Sequence, residues 1–213
     1  MIPKTIQAKL DEGRQYRNIA SFERRAEDDG KFVEGYATVF NKPYELWHEP
    51  GYTVMEQVDA RAFDETDMSD VIMQYNHEGR VFARVSNNTM TLNVDDVGLH
   101  IRADLGGTEL GRQLYEEIDG GYTDKMSFGF RVKEDKREIT EDKETGDMTV
   151  LRTITAFEKL YDVSAVSLPA NDATSISARS FGEGVVAEIK QELLAREARE
   201  RQKHKIKILL EVL

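Results

Sequence analysis

The sequence holds four histidines, and histidine is the side chain whose ordinary titration falls near neutral pH, so each is a candidate proton carrier. His204 lies in a charged tail, His100 on the polar face of an alternating segment, and His48 beside Trp47 in a stretch that reads as a loop. His77 differs from these. It closes the run Val71-Ile72-Met73-Gln74-Tyr75-Asn76-His77-Glu78, in which an apolar strand passes straight into polar residues. A strand end fixes a side chain at the rim of a sheet, within reach of a substrate. The alternative is a residue that ends its strand and bonds locally. His77-Glu78 does not open a zinc-protease His-Glu-x-x-His motif, because position 81 is Val81 and the segment reads as strand rather than helix.

A serine nucleophile needs a base within hydrogen-bond reach, because its hydroxyl is barely ionised at neutral pH. Ser127 sits in Lys125-Met126-Ser127-Phe128-Gly129-Phe130, flanked by apolar residues that point to the opposite face of a strand. Gly129 shares its face and leaves room beside it for another backbone. Ser164 and Ser167 occupy a similar run, Asp162-Val163-Ser164-Ala165-Val166-Ser167. Local pattern does not separate any of these from a solvent-facing strand serine. With no cysteine there is no thiol nucleophile, thiolate metal site or disulfide scaffold.

The elements that would position these residues are mostly strands. Segments 31–40, 71–75, 89–94, 99–105, 125–132, 148–157 and 160–168 are β-rich, and several alternate strictly, as Met126, Phe128, Phe130 and Val132 do against Lys125, Ser127, Gly129 and Arg131. Period-two patterning at this density predicts antiparallel sheet or barrel rather than βαβ units. A helix is predicted after the N-cap Thr108, with Leu110, Leu114, Tyr115 and Ile118 on one face and Gly120-Gly121 closing it. A shorter helix is predicted after Asp59. Residues 134–147 are almost entirely charged and read as a solvated hairpin loop. Composition divides the chain into a charged helical N-terminal arm (1–30), a β-rich domain (31–182) and a charged helical C-terminal arm (183–213). The last begins with Val185, Val186, Ile189, Leu193 and Leu194 on one side. It reads either as an ordinary solvated helix or as an arm that docks on a partner.

The 213 residues suit one medium domain with appendages. The net charge of −11 and the pI near 5.0 argue against a general nucleic-acid binder, which needs a basic excess for phosphate. No apolar run is long enough to span a bilayer, and the opening Met1-Ile2-Pro3-Lys4-Thr5 leads into charged sequence without an apolar signal region.

Four blocks in order carry a resemblance. Gly35-Tyr36-Ala37-Thr38-Val39-Phe40-Asn41, Asn76-His77-Glu78, Met126-Ser127-Phe128-Gly129-Phe130 and Asp162-Val163-Ser164-Ala165-Val166-Ser167-Leu168-Pro169-Ala170-Asn171 resemble the prohead serine protease family of tailed bacteriophages. These capsid-maturation enzymes are related in fold to the herpesvirus assemblin proteases, and the likeness spans roughly residues 20–180. It implies an α+β, mainly β fold: an antiparallel β-barrel with flanking helices, the two arms lying outside it. It implies a serine endopeptidase with Ser127 as nucleophile, His77 as base and Asp162 as third member. Many relatives carry Glu where this chain has Asp162, so the shorter acid must sit closer to the imidazole. The herpesvirus relatives use a second histidine there, but the one histidine after Ser127 is His204, in the tail. No metal or organic cofactor is implied. The implied substrates are the scaffold segment of the major capsid protein, or a separate scaffold, and the protease itself. The implied place is the assembling procapsid in the host cytoplasm, with a homo-oligomer by analogy and neither nucleic acid nor membrane as partner. Two other readings remain beside it: a non-catalytic assembly or scaffolding protein of the same fold, and a hydrolase whose Asp, Glu and His residues bind a metal.

Overall fold

Two long strands carry the architecture. In the computed structural model, which describes residues 4–22, 30–167 and 173–211, β9 (Lys125–Glu141) and β10 (Met148–Val166) form an extended antiparallel hairpin. β10 departs from a regular ladder at several points between Ile154 and Asp162, so its two halves serve different neighbours. Its first half pairs in parallel with β4 (Tyr52–Val58), and β4 pairs antiparallel with β3 (Tyr44–Glu49). Its second half pairs in parallel with β5 (Ile72–Tyr75), and β5 turns back into β6 (Glu78–Arg84). On the other side of β9 lies β1 (Gln15–Ser21), antiparallel. These make one seven-stranded sheet. β2 (Phe32–Val39), β7 (Met90–Val94) and β8 (Gly98–Asp104) make a second sheet, in the order β2-β8-β7.

The core sits between these layers. Met126, Phe128 and Phe130 of β9 and Val163 and Ala165 of β10 join Val33, Leu99, Ile101 and Ala103 of the smaller sheet in one buried cluster. Phe157 meets Phe130 edge-on at 4.9 Å between ring centroids. Helix α2 (Glu109–Asp119) adds Leu114 and Ile118, and Thr108 caps it by accepting a hydrogen bond from the Gly111 amide. The alternation of β9 therefore has a direct outcome: Met126, Phe128 and Phe130 fill the core, and Ser127 and Gly129 are left for the other face.

Several expectations change. The molecule is α+β and mainly β, but its larger sheet is mixed, not antiparallel, and among the described residues the pairings do not close into a barrel. Period-two patterning reports which side of a strand is buried. Pairing direction depends on contacts far apart in the chain, so the pattern is silent on it. Segment 1–30 is not helical throughout: α1 (Lys4–Asp11) is followed by β1, a member of the main sheet. Residues 134–141 extend β9 instead of forming a loop, exposed on a hairpin arm that turns at 142–147. The stretch after Asp59 makes hydrogen-bonded turns, not a helix, and His48 lies in β3. The two strands expected over 148–168 are one continuous strand.

Helix α3 (Ala173–Glu211) begins against the sheet. Val185, Val186 and Ile189 pack with Val54, Val150 and Trp47, while Leu193 and Leu194 are exposed. Leu168, Pro169, Ala170 and Asn171 of the fourth block lie outside the described residues, as do the side chains of 205–213.

Candidate active site

His77 reaches its position through a two-residue turn. Tyr75 pairs with Glu78, leaving Asn76 and His77 as the central residues, both with positive φ (51° and 61°). A tight hairpin that follows strand twist needs this left-handed backbone at both central positions. Asn tolerates it, but for His the conformation costs roughly 1 kcal/mol or more and must be held by its surroundings. They do hold it. The Asn76 amide donates to the Ala165 carbonyl at 2.8 Å, and Lys9 Nζ of α1 donates to the His77 carbonyl at 2.7 Å. Thr5 of α1 also hydrogen-bonds Glu78.

Ser127 and Asp162 come from the paired central strands. Ser127 lies directly across from Ser164, and Gly129 directly across from Asp162, so all four share one face of the sheet. The β5–β6 turn delivers His77 onto that face. His77 Nε2 is 2.8 Å from Ser127 Oγ, and His77 Nδ1 is 2.5 Å from Asp162 Oδ1. Ser164 Oγ donates to the same Asp162 oxygen at 2.7 Å. The structure thus brings together the three residues singled out in the sequence, 50 and 85 positions apart along the chain. The other histidines are elsewhere: His48 beside Thr53, His100 against Tyr36, and His204 exposed on α3.

The environment favours an ionised acid beside the imidazole. Ser127, His77 and Asp162 are each 0% exposed. Burial alone would raise the Asp162 carboxyl above its usual range. The His77 charge and hydrogen bond, the Ser164 hydroxyl and the Arg14 cation outweigh burial and hold it below that range. With the ring proton on Nδ1, facing the carboxylate, Nε2 is left as an acceptor facing the serine hydroxyl. Such a line can take a proton from Ser127 and return it to a leaving group.

Some contributors were not visible in the sequence. The Tyr16 ring packs against the His77 ring at 4.4 Å between centroids, and it lies across the sheet from Gly129. The space beside Gly129 is filled by side chains, not by backbone: a Cβ there would lie 2.5 Å from Asp162 Oδ2 and 2.8 Å from the Tyr16 ring. This close approach lets the short acid sit beside the imidazole. The signal in the sequence was a small one, five residues (Gln15–Ile19) of β-compatible composition inside a charged stretch. Among the described residues no cluster of three His, Asp or Glu groups could hold a metal.

A serine, a histidine and an acid linked by hydrogen bonds on a mostly β scaffold are the constellation of a class, the serine hydrolases. The particular family follows from comparison: residues 20–186 match the caudovirus prohead serine protease family, and the chain belongs to it. No curated protein and no solved structure matches the chain.

Proposed function

We propose that this chain is a maturation endopeptidase in which Ser127 attacks the scissile carbonyl, His77 carries the proton to the leaving amine, and Asp162 orients the imidazole. The observation that carries this reading is the unbroken hydrogen-bond line Ser127 Oγ–His77 Nε2 and His77 Nδ1–Asp162 Oδ1. Membership of a prohead serine protease family supports the capsid protein as the substrate and the procapsid interior as the place of action. Within that frame, the targets are the scaffold segment of the major capsid protein and the protease itself. Among the described residues no helix is long and apolar enough to cross a membrane.

The test is co-expression of the chain with its own major capsid protein, wild type beside Ser127→Ala, with intact-mass analysis of every product. Discrete capsid-protein and self-cleavage fragments that vanish in the mutant support the reading. Identical masses in both remove Ser127 from the mechanism. The complete burial of Ser127 favours one second reading, a non-catalytic assembly protein of the same fold. A fluorophosphonate probe separates the two, since a serine without a working base does not react.

A further inference from the structure

Asp162 has two oxygens with different surroundings. Oδ1 accepts from both His77 and Ser164, whereas Oδ2 is buried and accepts no hydrogen bond among the described residues. The group facing Oδ2 is the Arg14 guanidinium, with Nη1 at 3.9 Å. That separation is too long for a hydrogen bond, so Arg14 acts on the carboxylate through its charge. Its place is fixed from two sides. Gly13, with φ of +82°, ends α1 in the left-handed conformation, and the Arg14 amide donates back to the Lys9 carbonyl at 3.1 Å. The guanidinium then lies over the Tyr161 ring at 3.7 Å, one residue before Asp162.

We propose that Arg14 is a positioning residue for the catalytic acid: it holds the Oδ2 side of Asp162 and sets the pH range over which the Asp162–His77 pair can take a proton from Ser127. This rests on the protease reading above, and it adds a residue from before the stretch that matches the family, which begins at residue 20. The other charges near the pair are already engaged. Lys9 of α1 is on the His77 carbonyl, Glu78 of β6 on Thr5, and Arg131 of β9 on the Glu12 carbonyl and near Glu158. Tyr16 of β1 lies beside both Asp162 and Arg14, and burial raises its hydroxyl far above its usual range, so it stays neutral. Arg14 is therefore the cation whose removal changes the field at the carboxylate while the Ser127–His77–Asp162 hydrogen bonds are kept.

The sign is fixed by charge. Removing a cation beside the Asp162–His77 pair makes an added proton on the imidazole easier to hold. The pair then gives up that proton, and becomes able to accept one from Ser127, only at higher pH. An opposite charge at this range typically moves a carboxyl by about 1 to 3 units, and the acid limb of the coupled pair is expected to move by roughly one.

The experiment uses the full chain as wild type, Arg14→Gln, Arg14→Lys and Tyr161→Leu. Thermal melting confirms that each is folded. The rate of Ser127 labelling by a fluorophosphonate is measured against pH, and the His77 ring is titrated separately by nitrogen-edited NMR. In Arg14→Gln the acid limb of labelling and the His77 midpoint should both move up by about one pH unit. Arg14→Lys should abolish most of the shift because it keeps the charge. Tyr161→Leu, which frees the guanidinium, should move both part of the way. A folded Arg14→Gln protein whose limb and midpoint coincide with wild type overturns the proposal. A His77 midpoint that moves in Arg14→Gln, together with a Ser127 that never reacts with the probe even in the wild type, overturns the protease reading instead.

Discussion

Asp162 shows how narrow the tolerances at single residues are. The carboxylate lies between the imidazole and the space left by Gly129, and neither neighbour can move far. Gly129→Ala would put a Cβ 2.5 Å from Oδ2, so we expect a loss of about 1–3 kcal/mol in stability and a fall in labelling rate larger than the fall in fraction folded. Denaturant titration beside probe kinetics measures both. Asp162→Asn keeps the shape but offers the ring an amide, which favours the wrong tautomer, and labelling of Ser127 should fall about 10³- to 10⁴-fold with little change in melting temperature. Ser127, His77 and Asp162 were legible in the sequence because three short blocks carry them. Tyr16, Arg14 and Lys9 were not, because nothing near them in the chain shows that they end up beside His77 and Asp162.

The same contrast runs through the elements. Helix α2 was legible with its cap, since Thr108 and the apolar face of Leu114 and Ile118 are local signals. The β5–β6 turn was legible only as a strand end. A tight turn is normally announced by Asn-Gly, and here His77 takes the place of the glycine. The start of α3 offers a test. Gly182 lies in the helix, where Gly→Ala ordinarily gains up to about 1 kcal/mol. At this position a Cβ would meet Trp47 Cβ and Cγ at 2.7 and 2.6 Å, which are fixed parts of a large side chain. We therefore expect Gly182→Ala to lower stability, by about 1–2 kcal/mol net, with the loss visible as a lower melting temperature. A rise would show that α3 docks less closely than described.

Across the whole molecule, a buried charge network ties the chain ends to the sheet. Arg17 of β1 and Arg152 of β10 both bind Glu56 of β4, with Arg17 Nε at 2.5 Å and Arg152 Nη1 at 2.7 Å. Tyr44 of β3 hydrogen-bonds the same carboxylate, and Ser177 of α3 accepts from Arg17 at 3.2 Å. Burial opposes ionisation of Glu56, but the two arginines outweigh it and bring its pKa from 4.5 down to about 2. A lowered carboxyl pKa gives stability that is complete above pH 4.5 and lost as pH falls to about 2. The size is on the order of 3 kcal/mol. Glu56→Gln should flatten that part of the stability–pH curve. It should also cost roughly 3–5 kcal/mol at neutral pH, because it leaves the buried Arg17 guanidinium without a carboxylate, whereas Arg152 keeps Asp135 at 2.7 Å. Denaturant midpoints between pH 2 and 7 for both proteins check this.

By itself the sequence determined which residues of the alternating strands face the core, because spacing and side-chain type act over a few residues. Four short blocks in order, by their likeness to a family, singled out Ser127, His77 and Asp162 together. The tertiary structure decided that the larger sheet is mixed, that β1 joins it beside Ser127, and that Arg14 and Tyr16 flank Asp162. Each of these is a contact between distant segments, set by how well whole faces pack and how buried charges find partners. No local pattern encodes that outcome.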